Sequence, residues 1–188
     1  MLYLWAGSLQ FDALAAQFVI DGTEPLPLIA MGFVLVGFGF KVSAAPFHFA
    51  APDAYAGASS PVAGILATAS KAMGIIGLLR MLLIVASPEA SEDGTVWLTL
   101  LGVLSIITMT WGNIAALGSK NPKRMLAYSS VAHAGYMLAA ITAIGAWNWD
   151  ASLAGDGGES AVAVLTALIF HLIVLVLSLI HISEPTRR

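Results

Sequence analysis

Two lysines stand inside long apolar stretches, Lys41 within residues 26–45 and Lys71 within residues 61–86. A lysine placed in hydrocarbon costs about 2.5–3.5 kcal/mol on insertion scales, so each calls for a role. One role is to carry a proton, because apolar surroundings disfavour an ammonium relative to a neutral amine. The other is to pair with a buried carboxylate. No Asp or Glu lies in either run, nor in the three other apolar runs, which weighs toward a proton carrier. Lys41 has a third reading, snorkelling toward the nearer surface. Two cations near one another also resist simultaneous protonation, and that coupling favours passing a proton from one to the other.

Other polar side chains extend the constellation. Ser129, His133 and Tyr136 fall at helical spacing and share one face. His133 then either relays protons with help from Ser129 and Tyr136 or holds two helices together as a hydrogen-bonded core histidine. His48 and Asp53 lie in the proline-punctuated segment between the two lysines. They either shape an entry funnel or brace the turn, and bracing is favoured. His171 stands alone in an apolar run and reads as packing. Lys120, Lys123 and Arg124 read as topology determinants.

These groups need spans to hold them. Apolar residues make up 59% of the chain and charged residues 10%, against roughly 25% charged in a soluble domain. Runs of spanning length recur at 26–45, 61–86, 95–117, 125–147 and 160–180, and a span needs about 20 apolar residues. The expected fold is all-α, a polytopic transmembrane helical bundle of about five full spans with a partial N-terminal helix. Residues 1–176 form a single membrane domain in this reading. Pro25 and Pro27 open the first full span. Gly32, Gly37 and Gly39 loosen it, and Pro46 breaks it. A broken helix near Lys41–Pro46 is tolerated where it lines a cavity, so a water-accessible site is expected there. Residues 46–60 read as a turn-rich link. Pro61 opens the next span and sets Lys71 about 15 Å along it, near the bilayer midplane. Arg80 is expected to snorkel at the far end. Asn121 and Pro122 read as helix cap and first-turn proline.

The loop 118–124 is the basic one and is expected to be cytoplasmic. The acidic loops around Asp21 and Glu24, Glu89 to Asp93, and Asp150 to Glu159 then all fall on the opposite side. With no cysteine, the chain offers no disulfide and no cysteine-ligated iron–sulfur cluster. It has no glycine-rich nucleotide fingerprint and no zinc-type ligand spacing. Met1 does not read as a natural start. The stretch LSLIHISEPTR, Leu177 to Arg187, resembles the translation of a sequencing-library adapter, so residues 177–188 are expected to be a non-native tail.

FKVSAAPFHFAAPDAYAGASSPV, then ASKA, GLLR and GNIAALGSKNPKRMLAYSSVAHAGYML, resemble the subunit N family of the proton-pumping NADH–quinone oxidoreductase, the bacterial respiratory complex I. The likeness covers nearly all of residues 30–145 and rests on several spaced motifs in order. It implies an antiporter-like membrane subunit in which Lys41 and Lys71 match the lysines of the first broken helix and the next helix. His133 matches the histidine of YSS-x-x-H-x-GY. It implies proton movement coupled to quinone reduction elsewhere, with neighbouring membrane-arm subunits and the lipid bilayer as partners and no nucleic acid. NADH, flavin, iron–sulfur clusters and quinone are expected on partner subunits, with no cofactor or metal on this chain. The implied location is the bacterial inner membrane. A secondary cation/proton antiporter subunit of the same superfamily is the alternative. Ala50, Ser59 and Ser60 depart from the family's tryptophan and Pro-Thr pair. The family's partner glutamate, on an earlier helix, and its later lysine have no counterpart here. About a third to a half of the subunit is present.

Overall fold

The computed structural model describes residues 1–21, 24–85, 94–149 and 157–183. They form nine helices and no strand. The expected acidic loop Glu89 to Asp93, residues 150–156 of the expected loop Asp150 to Glu159, and residues 184–188 lie outside the described residues, while residues 157–159 are helical.

The chain opens with α1 (Leu2–Ala6), closed by Gly7 in the left-handed conformation, and α2 (Phe11–Asp21). Leu14 and Phe18, one turn apart, are the buried face of α2. Phe18 meets Trp5 edge-on at 4.8 Å. The guanidinium of Arg80 lies 5.1 Å from the centre of the Phe11 ring, a cation–π contact rather than a free snorkel.

Helix α3 (Pro25–Val42) carries proline in its first turn. It ends where Ser43 turns left-handed at φ 63°, and the Ala44 amide reaches back to the Gly39 carbonyl at 2.8 Å. Such a closing turn satisfies carbonyls that a helix end leaves open. The helix therefore stops before the cis Ala45–Pro46 bond. Gly39 does more than loosen α3: a Cβ there would stand 2.8 Å from Cδ2 of Phe47, so its bareness seats that ring.

The link is more ordered than a string of turns. Within it lies α4 (Ala50–Gly57), with Asp53 in its first turn. Its alanines are good helix formers, Pro52 stands early enough to be tolerated, and an acidic first turn suits the helix dipole. Helices α5 (Ser60–Ala67) and α6 (Ala69–Val85) make one kinked span. At Thr68 (φ −109°, ψ −74°) the hydroxyl donates to the Gly64 carbonyl at 2.8 Å, a side-chain competition that bends helices.

Helices α7 (Gly94–Gly118), α8 (Pro122–Trp149) and α9 (Gly157–Ser183) complete the described chain. The Lys123 amide donates to Oδ1 of Asn121 at 3.0 Å, the cap anticipated ahead of Pro122. Four stretches are long and apolar enough to cross a membrane: Pro25–Val42, Pro61–Leu82, Trp97–Gly118 and Pro122–Ala146. A shorter apolar stretch, Val162–Leu175, lies within α9. The chain is thus an all-α polytopic membrane protein.

Helix α8 is the centre. Some 56% of its spanning stretch is buried, against 22–33% for the other three, and it touches α4, α6, α7 and α9. The main core joins Met31 and Leu35 of α3, Ile75 and Leu78 of α6, Leu101 of α7 and Met137 and Ile141 of α8. Its contact with α7 is close enough to exclude side chains. A Cβ at Gly112 would meet the Ala132 backbone at 2.6 Å, and one at Gly135 would meet the Met109 backbone at 2.8 Å.

Candidate functional site

Lys71 stands on α6 one turn after the Thr68 kink and is 1% exposed. It reaches across to α8, where its ammonium donates to the Ser130 carbonyl at 2.6 Å and to the Ser130 hydroxyl at 2.9 Å. The Ser130 hydroxyl in turn donates to the Ala127 carbonyl at 2.8 Å. All these acceptors are neutral. The one ion pair among the described residues, Arg124 with Asp53 at 2.7 Å, does not involve Lys71. A neutral amine keeps two N–H donors, so both contacts to Ser130 survive loss of a proton.

Lys41 lies in the last turn of α3 and, unlike Lys71, is exposed on the described surface. Its stem crosses α6 beside Gly74, where a Cβ would meet Lys41 Cγ at 3.2 Å and Val42 Cγ1 at 3.1 Å. Gly74, one turn from Lys71, thus admits the neighbouring helix, and the neighbour carries the other lysine. Lys41 lines a cavity of about 220 Å³ together with Ser43, Tyr55 and Ser70.

His133 and the sequence-isolated His171 are brought together, Nδ1 to Nε2, at 3.2 Å. Tyr136 packs edge-on to His133 at 5.8 Å, and Asn113 Nδ2 approaches its hydroxyl at 3.4 Å. Ser129 lies apart from Lys71, in a groove it lines with Asn113, Ser119 and Met125. The serine that touches the lysine is its neighbour Ser130. The double serine is visible in the sequence, but helical spacing from His133 points to Ser129 and carries no signal for the Ser130–Lys71 contact. His171 was missed because its partner lies on α8, 38 positions away.

His48 is buried beside α7, where Trp111 Nε1 donates to its Nε2 at 2.7 Å. Its other ring nitrogen has no hydrogen-bond partner. Burial holds the imidazole below its ordinary range, offset in part by the Pro46 backbone. Asp53 is exposed and takes the Arg124 guanidinium, while Lys123 donates to the Ala58 carbonyl at 3.1 Å. Two members of the basic loop therefore clasp the link as well as carrying charge. No cluster of three or more His, Asp or Glu that could hold a metal occurs among the described residues.

Residues 1–182 match the family described as NADH:quinone oxidoreductase/Mrp antiporter, TM. The chain is 43% identical over 166 residues to NADH-quinone oxidoreductase subunit N 2 of Roseiflexus castenholzii, covering 86% of this chain and 32% of the relative. It is 50% identical over 115 residues to subunit N of Heliobacterium modesticaldum, covering 61% of this chain and 24% of the relative. The chain thus spans about a third or less of these relatives. Among solved structures, a chain of respiratory complex I from Thermus thermophilus with bound aureothin aligns with 97% of this chain and 43% of its own length, at 31% identity and a TM-score of 0.61. A chain of an archaeal membrane-bound sulfane sulfur reductase aligns with 97% of this chain and 34% of its own length at a TM-score of 0.72; at 20% identity that likeness speaks to the fold. The chain belongs to the NADH:quinone oxidoreductase/Mrp antiporter membrane-subunit family, and within it to subunit N of the NADH–quinone oxidoreductases.

Proposed function

We propose that this chain is the central part of a proton-translocating subunit, working in the bacterial inner membrane beside other membrane-arm subunits and coupled to quinone reduction on partner chains. Lys71 is the proton carrier, Lys41 the site it exchanges with, and His133 the group beyond. The observation that carries this reading is the Lys71–Ser130 contact: a buried amine held by neutral acceptors. A scaffold lysine would be expected to hold a carboxylate. Lys71 instead keeps its hydrogen bonds in either protonation state, so a proton comes and goes without dismantling the helix contact. His133, paired with His171, supplies a second exchangeable group on α8. The loop 118–124 faces the cytoplasm, and NADH, flavin, iron–sulfur clusters and quinone belong to partners.

The family description also names the Mrp antiporter, so a secondary cation/proton antiporter subunit is the alternative. Relatives named as subunit N weigh against that alternative. The test replaces Lys71 by Ala in the full-length subunit within its complex. Normal assembly with proton translocation lost is expected; normal assembly with full translocation would overturn the reading. Translocation driven by a sodium gradient, without NADH oxidation, would select the antiporter alternative.

A further inference from the structure

Tyr55 stands between the two lysines. It belongs to α4, is 7% exposed, and packs against Ala67 of α5 and Ala127 of α8. Its ring forms part of the wall of the cavity that Lys41 and Ser70 line. On α8 it packs against Ala127, one turn before Ser130, whose Oγ is bonded to Lys71. The cavity of about 220 Å³ has room for several waters at about 30 Å³ each. Lys71, by contrast, is sealed from it. A charge moving from the Lys41 side toward Lys71 therefore meets the phenol first.

We propose that the Tyr55 hydroxyl and Ser130 together are the proton bridge between the Lys41 cavity and Lys71; this rests on the reading of Lys71 as a carrier. A proton from the cavity side joins the phenol oxygen as the phenol's own proton passes to Ser130 Oγ. In the same step the Ser130 hydroxyl, turned from the Ala127 carbonyl to the neutral Lys71 amine, gives its own proton to the amine lone pair, which takes the place of the N–H at Oγ while another N–H stays on the Ser130 carbonyl, and the ammonium forms. Each hydroxyl regains its starting orientation by rotation, and neither is left charged. Burial pushes the Tyr55 phenol up from its ordinary range, so it stays protonated and can both give and take.

The test compares variants in the assembled complex, in inverted membrane vesicles energised with NADH, with a pH-sensitive dye reading proton uptake. Tyr55→Phe keeps the ring and its packing and removes only the hydroxyl. It is expected to assemble at the normal level and to lose translocation to the same extent as Lys71→Ala. Ser130→Ala should behave alike and Ser130→Thr should restore the loss, a pattern that a purely structural role would not produce. Full translocation in Tyr55→Phe, with Lys71→Ala inactive, overturns the bridge and leaves the carrier standing. Full translocation in Lys71→Ala overturns both. If Tyr55→Phe fails to assemble, the Ser130 pair decides: full activity in Ser130→Ala removes the bridge.

Discussion

Trp111 donates its indole N–H to Nε2 of His48 at 2.7 Å, and an indole has no acceptor to offer in return. Nε2 must therefore be unprotonated, which fixes the neutral tautomer with its hydrogen on Nδ1. Adding a proton at Nε2 would break the bond to Trp111. This bond joins the link to α7, beside a second one in which the Ala45 amide donates to Thr108 Oγ1 at 3.0 Å.

A pH dependence follows. The folded-state value for His48 lies below the ordinary 6.5, so the unfolded chain binds more protons in the window beneath 6.5. Stability from this group is fully present above that value and is lost as pH falls through the window. Thermal unfolding in detergent from pH 7.5 to 5 should show a falling midpoint. His48→Gln, which retains an acceptor for Trp111, should flatten that slope. Trp111→Phe should cost about 1–2 kcal/mol for the lost hydrogen bond to a buried ring nitrogen. An unchanged slope in His48→Gln would remove His48 from the account.

On the proposed carrier role, the buried Lys71 amine is a burden on stability. Lys71→Met preserves length and volume and removes the amine. Ser130 keeps its bond to the Ala127 carbonyl, so no hydroxyl is orphaned. Replacing a buried charge by a well-packed apolar side chain is often neutral or stabilising, by about 1–4 kcal/mol. Lys71→Met should therefore unfold at an equal or higher temperature while abolishing translocation. A large fall in midpoint would mean that the amine is chiefly a structural tie.

Why some of this was readable in the sequence and some was not comes down to range. Apolar run length placed the spans, and Asn121–Pro122 placed the start of α8, because both signals are local. Lys71 was legible because a charge in an apolar run is conspicuous by itself. Ser130, Tyr55 and the His133–His171 pair were not, because each depends on which faces of two helices meet. The Thr68 kink was hidden for a different reason: threonine is ordinary inside a span, and only its bond to Gly64 marks the bend. The short helix α4 was obscured by Pro52, which reads as a breaker unless its place in the first turn is known.

Asp53 and Arg124 make an ion pair with about half or more of each side chain in the open, 74% and 52% exposed. Exposed pairs contribute about 0–1 kcal/mol and are screened by salt. Asp53→Asn should shift stability by less than about 1 kcal/mol, and the shift should shrink as salt rises. It should leave proton translocation near normal, since the carboxylate's partner is the Arg124 guanidinium of the basic loop. A large loss of translocation at normal assembly would instead make Asp53 part of the entry path.

The α7–α8 crossing offers the sharpest packing test. Cβ atoms at Gly112 and Gly135 would each press on backbone of the facing helix, the Ala132 nitrogen at 2.6 Å and the Met109 nitrogen at 2.8 Å. Backbone cannot swing aside as a flexible side chain can. Nearby, Ser105 donates to the Gly135 carbonyl at 2.8 Å, a bond that depends on the same close approach. Alanine in place of helix glycine ordinarily gains about 1 kcal/mol, yet overpacking costs about 1–3 kcal/mol. Gly112→Ala and Gly135→Ala should both lower the unfolding midpoint. Gly32→Ala, where nothing lies within 4 Å, should leave it unchanged or raise it. Because α8 also carries Ser130 and His133, prying α7 from it should disturb the lysine contact as well as the fold. Equal midpoints across the three variants would mean that the helices do not approach this closely.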